Sequence, residues 1–280
     1  MNFVPQRVTA LLRIGGLWGT RRKLLETTAP GKIPKTLVMI FDGNRRYAEY
    51  LGYGEHEQTI GHEFGYANGK KLIRAAFAYG VTNVVVWAAS KANFDERKMD
   101  GMRRILKLFG KEVREQLATT PVPGEEYHFR VCGEEWLKYC YEDPELPELV
   151  RQLEAKTAKY DTKRTLTLLF GYCGRQDVLH AAKSVAKEAL ARGWTEKQID
   201  ELITEETLGT YMLSHWVGDV DMVIRTGEKE REAHWSQCLL AWWMEKTEFF
   251  FTATLLPVLS VAELYGMFVA FAKRRKLGGK

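Results

Sequence analysis

The sequence predicts a single α/β domain with a mostly parallel central sheet. Three observations predict it. Short apolar runs alternate with longer segments whose apolar residues recur every three to four positions. No repeat, low-complexity tract or convincing linker interrupts the chain after residue 33. The 280 residues, 45% hydrophobic and 28% charged, suffice for one sizeable core.

Thr36–Phe41 is one apolar strand, and the arginines at 45 and 46 open a helix after it. Glu63–Tyr79 reads as a helix and Val84–Trp87 as a strand. Met99–Ala118 reads as a helix, with Met102, Ile105, Leu106 and Phe109 on one face. Tyr127–Cys132 and Thr165–Phe170 are strands, and Asp177–Ala191 is a helix. Val220–Ile224 and Phe249–Thr252 are short strands. Ser260 with Glu263 makes a capping box for a last helix ending near Arg275.

Residues 1–33 stand apart from the domain at 34–280. They mix Leu11, Leu12, Ile14, Leu17 and Trp18 with Arg7, Arg13, Arg21, Arg22 and Lys23. One reading is an amphipathic segment on an anionic membrane surface. The other is a helix packed on the domain or on a partner subunit. Gly15, Gly16 and Gly19 weaken a continuous helix and favour the second.

The net charge of +5 favours an anionic ligand or surface but is too small to argue for nucleic acid, and no nucleic-acid motif is present. The four cysteines form no CxxC pair and read as reduced thiols of a cytoplasmic protein. No apolar run reaches membrane-span length, and the N-terminus lacks a signal-peptide pattern.

The first strand ends on Asp42, followed by Gly43, Asn44, Arg45 and Arg46. In an open parallel sheet, ligands bind at the carboxyl ends of the strands. Gly43 allows close backbone approach, the following helix offers N–H groups, and Arg46, with Arg45, adds positive charge. That is a phosphate cradle with one carboxylate in it. The carboxylate repels phosphate unless a divalent cation bridges the two, and Mg²⁺ is the usual bridge. The plainer alternative is a surface turn with two solvated arginines. Neither GxxxxGK[ST] nor GxGxxG follows the strand.

A second cluster sets Arg225 beside an apolar strand, then Thr226, Gly227, Arg231, His234 and Ser236, a donor set suited to a second diphosphate. Glu228–Glu230 reads as a solvated charge run. Glu248 is again an acid at a strand edge. Trp242, Trp243 and the phenylalanines at 249–251 read as core. Two diphosphate sites, a metal-bridging acid and an apolar interior point to the coupling of two isoprenoid diphosphates.

DGNRRYA (42–48), GH (61–62), SKANF (90–94), GYCGRQD (171–177), DMVIRTG (221–227) and EFFFT (248–252) resemble, in order, the signature regions of the cis-prenyltransferases. The resemblance runs from about Pro34 to Gly279. It implies a sheet ringed by helices around a hydrophobic tunnel, a homodimer, and addition of isopentenyl diphosphate to an allylic prenyl diphosphate primer. It implies that Asp42 holds Mg²⁺ and that Gly43, Asn44 and Arg46 cradle the primer diphosphate. His62 then sits beside the primer, and Asn93 takes part in proton removal. Arg225, Arg231 and Ser236 bind isopentenyl diphosphate, with His234 as the rival to Arg231. Glu248 is the second acid near the metal, reached from the partner subunit in some members. The C-terminal RRKLGG resembles the family ending that reaches the neighbouring site, with Lys276 where arginine is usual.

Other positions depart from the pattern: Gln58 for a primer-binding arginine, Ala92 for glutamate, Phe94 for tryptophan, Glu96 for a basic residue and Cys173 for glycine. Two alternatives therefore stand beside chain elongation. One is an atypical member that couples or cyclises short isoprenoids. The other is a non-catalytic subunit, against which Asp42 speaks. Helices Glu63–Tyr79 and Met99–Ala118 are expected to line the tunnel, with Ala75, Ala76 and Ala78 small enough to leave it roomy.

Overall fold

The computed structural model describes residues 33–94, 99–228 and 239–274. Six strands form one sheet in the order β3-β4-β2-β1-β5-β6. They are β1 (Thr36–Ile40), β2 (Asn83–Ser90), β3 (His128–Cys132), β4 (Thr165–Tyr172), β5 (Met222–Arg225) and β6 (Glu248–Phe251). Every pairing is parallel, so the expected mostly parallel sheet is wholly parallel among the described residues.

β1 lies between β2 and β5, and all five of its residues are buried. A parallel strand covered on both faces has no use for alternation, which is why TLVMI is apolar after its first residue. The strand still splits its side chains. Leu37 and Met39 join one core layer, with the helices α2 (Gly61–Tyr79), α3 (Met99–Ala118), α4 (Leu146–Thr157) and α8 (Val261–Lys273). Val38 and Ile40 join a second layer with Tyr172, Val217 and Leu240. The other helices are α1 (Asn44–Tyr50), α5 (Gly174–Arg192), α6 (Glu196–Leu202) and α7 (Glu205–Thr210).

On α3 the buried side chains are Met102, Leu106, Phe109 and Val113, one face of a helix. The Ser260–Glu263 capping box opens α8, which ends at Lys273. Helix α4 has no counterpart in the sequence reading.

After β1 the chain builds β2, β3 and β4 on one side, then crosses to build β5 and β6 on the other. The topological switch point therefore falls between β1 and β5, where open α/β sheets bind ligands.

Candidate active site

Asp42 follows β1, and Arg225 closes β5 beside Ile40 of β1. The Arg225 guanidinium reaches Asp42 Oδ2 at 3.3 Å, and Arg46 reaches Oδ1 at 3.4 Å. Asp42 and Arg46 are each about half exposed, whereas the Arg225 side chain is 7% exposed. Arg225 is held from behind by Glu228, itself 5% exposed. The rim is one accessible carboxylate flanked by two cations, one buried and one half-exposed.

Thr226 fixes the backbone of this rim. Its hydroxyl accepts from the Asp42 N–H (2.9 Å) and donates to the Asp42 carbonyl (2.7 Å). Arg46 donates to the Gly227 carbonyl at 2.6 Å, and the Gly43 N–H donates to Asp42 Oδ1. Gly43 has φ +100°, and a Cβ there would sit 2.7 Å from Leu255 Cδ2, so the turn accepts only glycine.

Behind the rim, α2 crosses α1 at close range because its facing positions are glycine. A Cβ at Gly61 would meet the Asn44 carbonyl oxygen, one at Gly65 the Asn44 Oδ1, and one at Gly69 the Phe41 ring. Asn44 turns its side chain into this contact. Its Nδ2 faces His62 Nδ1 at 3.3 Å, and its buried Oδ1 has no hydrogen-bond partner among the described residues. With Asn44 as donor, His62 carries its ring proton on Nε2.

From Asn44 and His62 a cavity of about 820 Å³ runs between α2 and α3 over the sheet. Phe41, Ile73, Phe77, Ile105, Phe109 and Leu168 make its walls largely apolar. A carboxylate between two guanidiniums, next in the chain to two residues that line a largely apolar cavity, suits a molecule with an anionic head and a hydrocarbon tail.

The family model described as "Putative undecaprenyl diphosphate synthase" matches residues 40–279. The chain belongs to this cis-prenyltransferase family. It is a prenyl diphosphate synthase, a transferase of isoprenoid synthesis. An isoprenyl transferase of Thermus thermophilus is 29% identical over 86% of this chain and 86% of its own. A geranylgeranyl-diphosphate-specific tritrans,polycis-undecaprenyl-diphosphate synthase of Archaeoglobus fulgidus is 30% identical over 75% of this chain and 78% of its own. In fold, the chain is similar to lavandulyl diphosphate synthase from Lavandula x intermedia in complex with dimethylallyl diphosphate. That likeness has a TM-score of 0.68 and 24% identity, over 88% of this chain and 98% of the other.

The expected residues of this prenyltransferase fall into three groups. Asp42, Gly43, Asn44, Arg45, Arg46, His62, Asn93 and Arg225 gather at the carboxyl ends of adjacent strands. Asn93 lies in the turn after β2, where its Oδ1 accepts from both the N–H and the hydroxyl of Ser90 at 2.8 Å. Arg231, His234, Ser236, residues 1–32 and the C-terminal RRKLGG beyond Arg274 lie outside the described residues.

Glu248 is the third case, because within one chain it does not meet Asp42. Register pairs it with Met222, three residues and roughly 10 Å before Arg225, towards the amino end of the sheet. There it pairs with Arg274, whose guanidinium also stacks 4.4 Å from the Phe250 ring centre.

Other expectations are corrected. Glu228 is no solvated loop acid, since burial beside Arg225 gives it a partner the charge run hid. Phe251 is 42% exposed, because β6 is an edge strand and offers one side to solvent. Ala75 and Ala76 are buried away from the cavity, which Ala78 lines. Thr226, read as a donor for a second diphosphate, instead spends its hydroxyl on the Asp42 backbone, a contact that appears only when β5 is set beside β1. The sequence reading also missed that Asp177 is buried structure, with Tyr172, Ser214 and the Leu213 N–H all on its carboxylate.

Burial, with help from Arg45 and Arg104, lowers the His62 pKa from 6.5 to about 4. The ring is neutral at pH 7. Between these two values the unfolded chain binds the extra proton and the folded one does not, so His62 subtracts stability as pH falls through that window. His62→Gln is expected to narrow the loss of stability between pH 7 and pH 4.5, read as denaturation midpoints of both proteins. Parallel losses in the two would show that His62 is not the group titrating.

Proposed function

We propose that this prenyltransferase condenses isopentenyl diphosphate with an allylic prenyl diphosphate primer to build a cis-polyprenyl diphosphate. One observation carries the reading: Asp42 stands between Arg46 and Arg225, and its chain neighbours Phe41 and Asn44 line an apolar cavity large enough for a prenyl tail. Relatives named as tritrans,polycis-undecaprenyl-diphosphate synthases support cis additions to a trans primer.

Mg²⁺ fits the rim. One accessible carboxylate with few protein ligands nearby is the donor set this ion takes beside phosphate oxygens, and no acid–histidine cluster among the described residues competes for it. Asp42 would hold the ion, which would offset the charge developing on the leaving diphosphate. Arg46 and Arg225 add fixed positive charge there. Thr226 and Gly43 keep Asp42 in place. The apolar walls keep water from the allylic cation, and neutral His62 presents an N–H near the primer head. Asn93, anchored by Ser90, takes the proton-removal side, with Arg231 and Ser236 as further ligands of isopentenyl diphosphate.

A homodimer belongs to the same reading. Among the described residues β6 is an open edge with Phe251 exposed, which suits cover by a second subunit. A cytoplasmic location belongs to it too, with peripheral membrane contact as the less favoured of the two readings of segment 1–33. The free thiols of Cys132, Cys140 and Cys173 support that location. No helix among the described residues is long and apolar enough to cross a membrane.

The test supplies Mg²⁺, labelled isopentenyl diphosphate and dimethylallyl, geranyl, farnesyl and geranylgeranyl primers to purified protein. Products resolved by length are expected to form a ladder of cis-polyprenyl chains. A short branched or cyclic product, or no incorporation by folded protein, would overturn this reading.

A further inference from the structure

Two guanidiniums besides those at Asp42 lie close enough to His62 to act on it. One is Arg45, exposed at the start of α1 directly after Asn44, whose amide meets the ring. The other is Arg104 of α3. The first turn of α3 lies against this histidine, since a Cβ at Gly101 would sit 4.0 Å from His62 Nε2 and 3.9 Å from Thr59 Cγ2. Arg104 is three residues further on, a neighbour on the same helix face. Burial first, and then the charges of Arg45 and Arg104, depress the His62 pKa, so both cations are felt at the ring.

Arg104 is loosely held. Its side chain is 36% exposed and pairs at 3.0 Å with Glu63, which is 53% exposed and directly follows His62 on α2. His62 and Ile105, the chain neighbours of Glu63 and Arg104, both line the cavity, so the pair sits beside its head end. An exposed ion pair of this kind contributes little, because water serves both ions almost as well. A diphosphate at His62 offers the same guanidinium more negative charge and two oxygens for its fork of donors. Glu63 has no such use for a diphosphate and repels it. The balance therefore favours an exchange in which Arg104 leaves one anion for a better one.

We propose that Arg104 is a further ligand of the primer diphosphate, held by Glu63 until the primer arrives. The inference rests on the elongation reading above. The test measures kcat and the KM of each substrate for wild type, Arg104→Met and Glu63→Gln, with Mg²⁺, farnesyl diphosphate and labelled isopentenyl diphosphate. Arg104→Met is expected to raise the KM for farnesyl diphosphate by roughly tenfold or more, with a much smaller change in the KM for isopentenyl diphosphate. Glu63→Gln is expected to lower the KM for farnesyl diphosphate, because it frees the guanidinium and removes a competing negative charge. A pair that only strapped α2 to α3 would be harmed alike by either change. Equal rises in the two variants, or an unchanged primer KM in Arg104→Met, overturn the proposal. Arg104→Lys keeps the charge without the fork, and it carries the same comparison if the methionine variant does not fold. Its primer KM is expected to fall between wild type and methionine, and no rise counts against the proposal. A wild type that incorporates no label removes the elongation reading itself, a result separate from a working wild type whose primer KM ignores Arg104.

Discussion

Asp42→Ala is expected to lower kcat/KM by on the order of 10³-fold while leaving the fold intact, because it removes the accessible carboxylate proposed to link the diphosphate to Mg²⁺. Its two ion pairs, at 3.3 and 3.4 Å from a half-exposed side chain, are worth about 1 kcal/mol or less to the fold. Asp42→Asn sharpens the test. It can keep the bond from the Gly43 N–H but cannot hold the ion in the same way, so it should lose nearly as much activity as alanine. Initial rates at saturating Mg²⁺ and thermal midpoints decide the matter together. A variant that keeps a tenth or more of the wild-type rate would remove Asp42 from its assigned place.

Arg225→Met is expected to lose both activity and stability. Arg225 and Glu228 are 7% and 5% exposed, and removing the guanidinium strips a buried carboxylate of this partner. Breaking such a pair costs about 3–5 kcal/mol, a large share of the roughly 5–15 kcal/mol that holds a domain together. The thermal midpoint should fall by roughly 10 °C. Replacing both partners is a different experiment. Arg225→Met/Glu228→Leu leaves no carboxylate to strip, so its midpoint should return most of the way to wild type while its rate does not. Recovery of both would make Arg225 a structural residue alone. Recovery of neither would show that Glu228 has work of its own.

These expectations mark what the sequence made legible. The parallel α/β sheet was readable because each buried strand is an apolar run bounded by turn residues and followed by helical spacing. The meeting of Asp42, Arg46 and Arg225 was readable because all three directly follow or close apolar strands that end on the same side of a parallel sheet. Helix α4 was missed although Pro147 opens it and Leu146, Val150 and Leu153 are buried on one face. Glu228 was misread because a run of charges hides the one member that folds inward. Glu248 was placed by motif order, whereas register fixes its height in the sheet.

The Thr226 clasp on Asp42 joins segments 184 residues apart in the chain. Loop closure on that scale is deferred until most of the sheet exists. A ribosome-bound chain that has released only β1 to β4 therefore has Asp42, Arg46 and His62 without the strand that sets the first of them. Competence arrives with the last third of the polypeptide, so an unfinished chain has no completed rim with which to draw on the cell's pool of prenyl diphosphates.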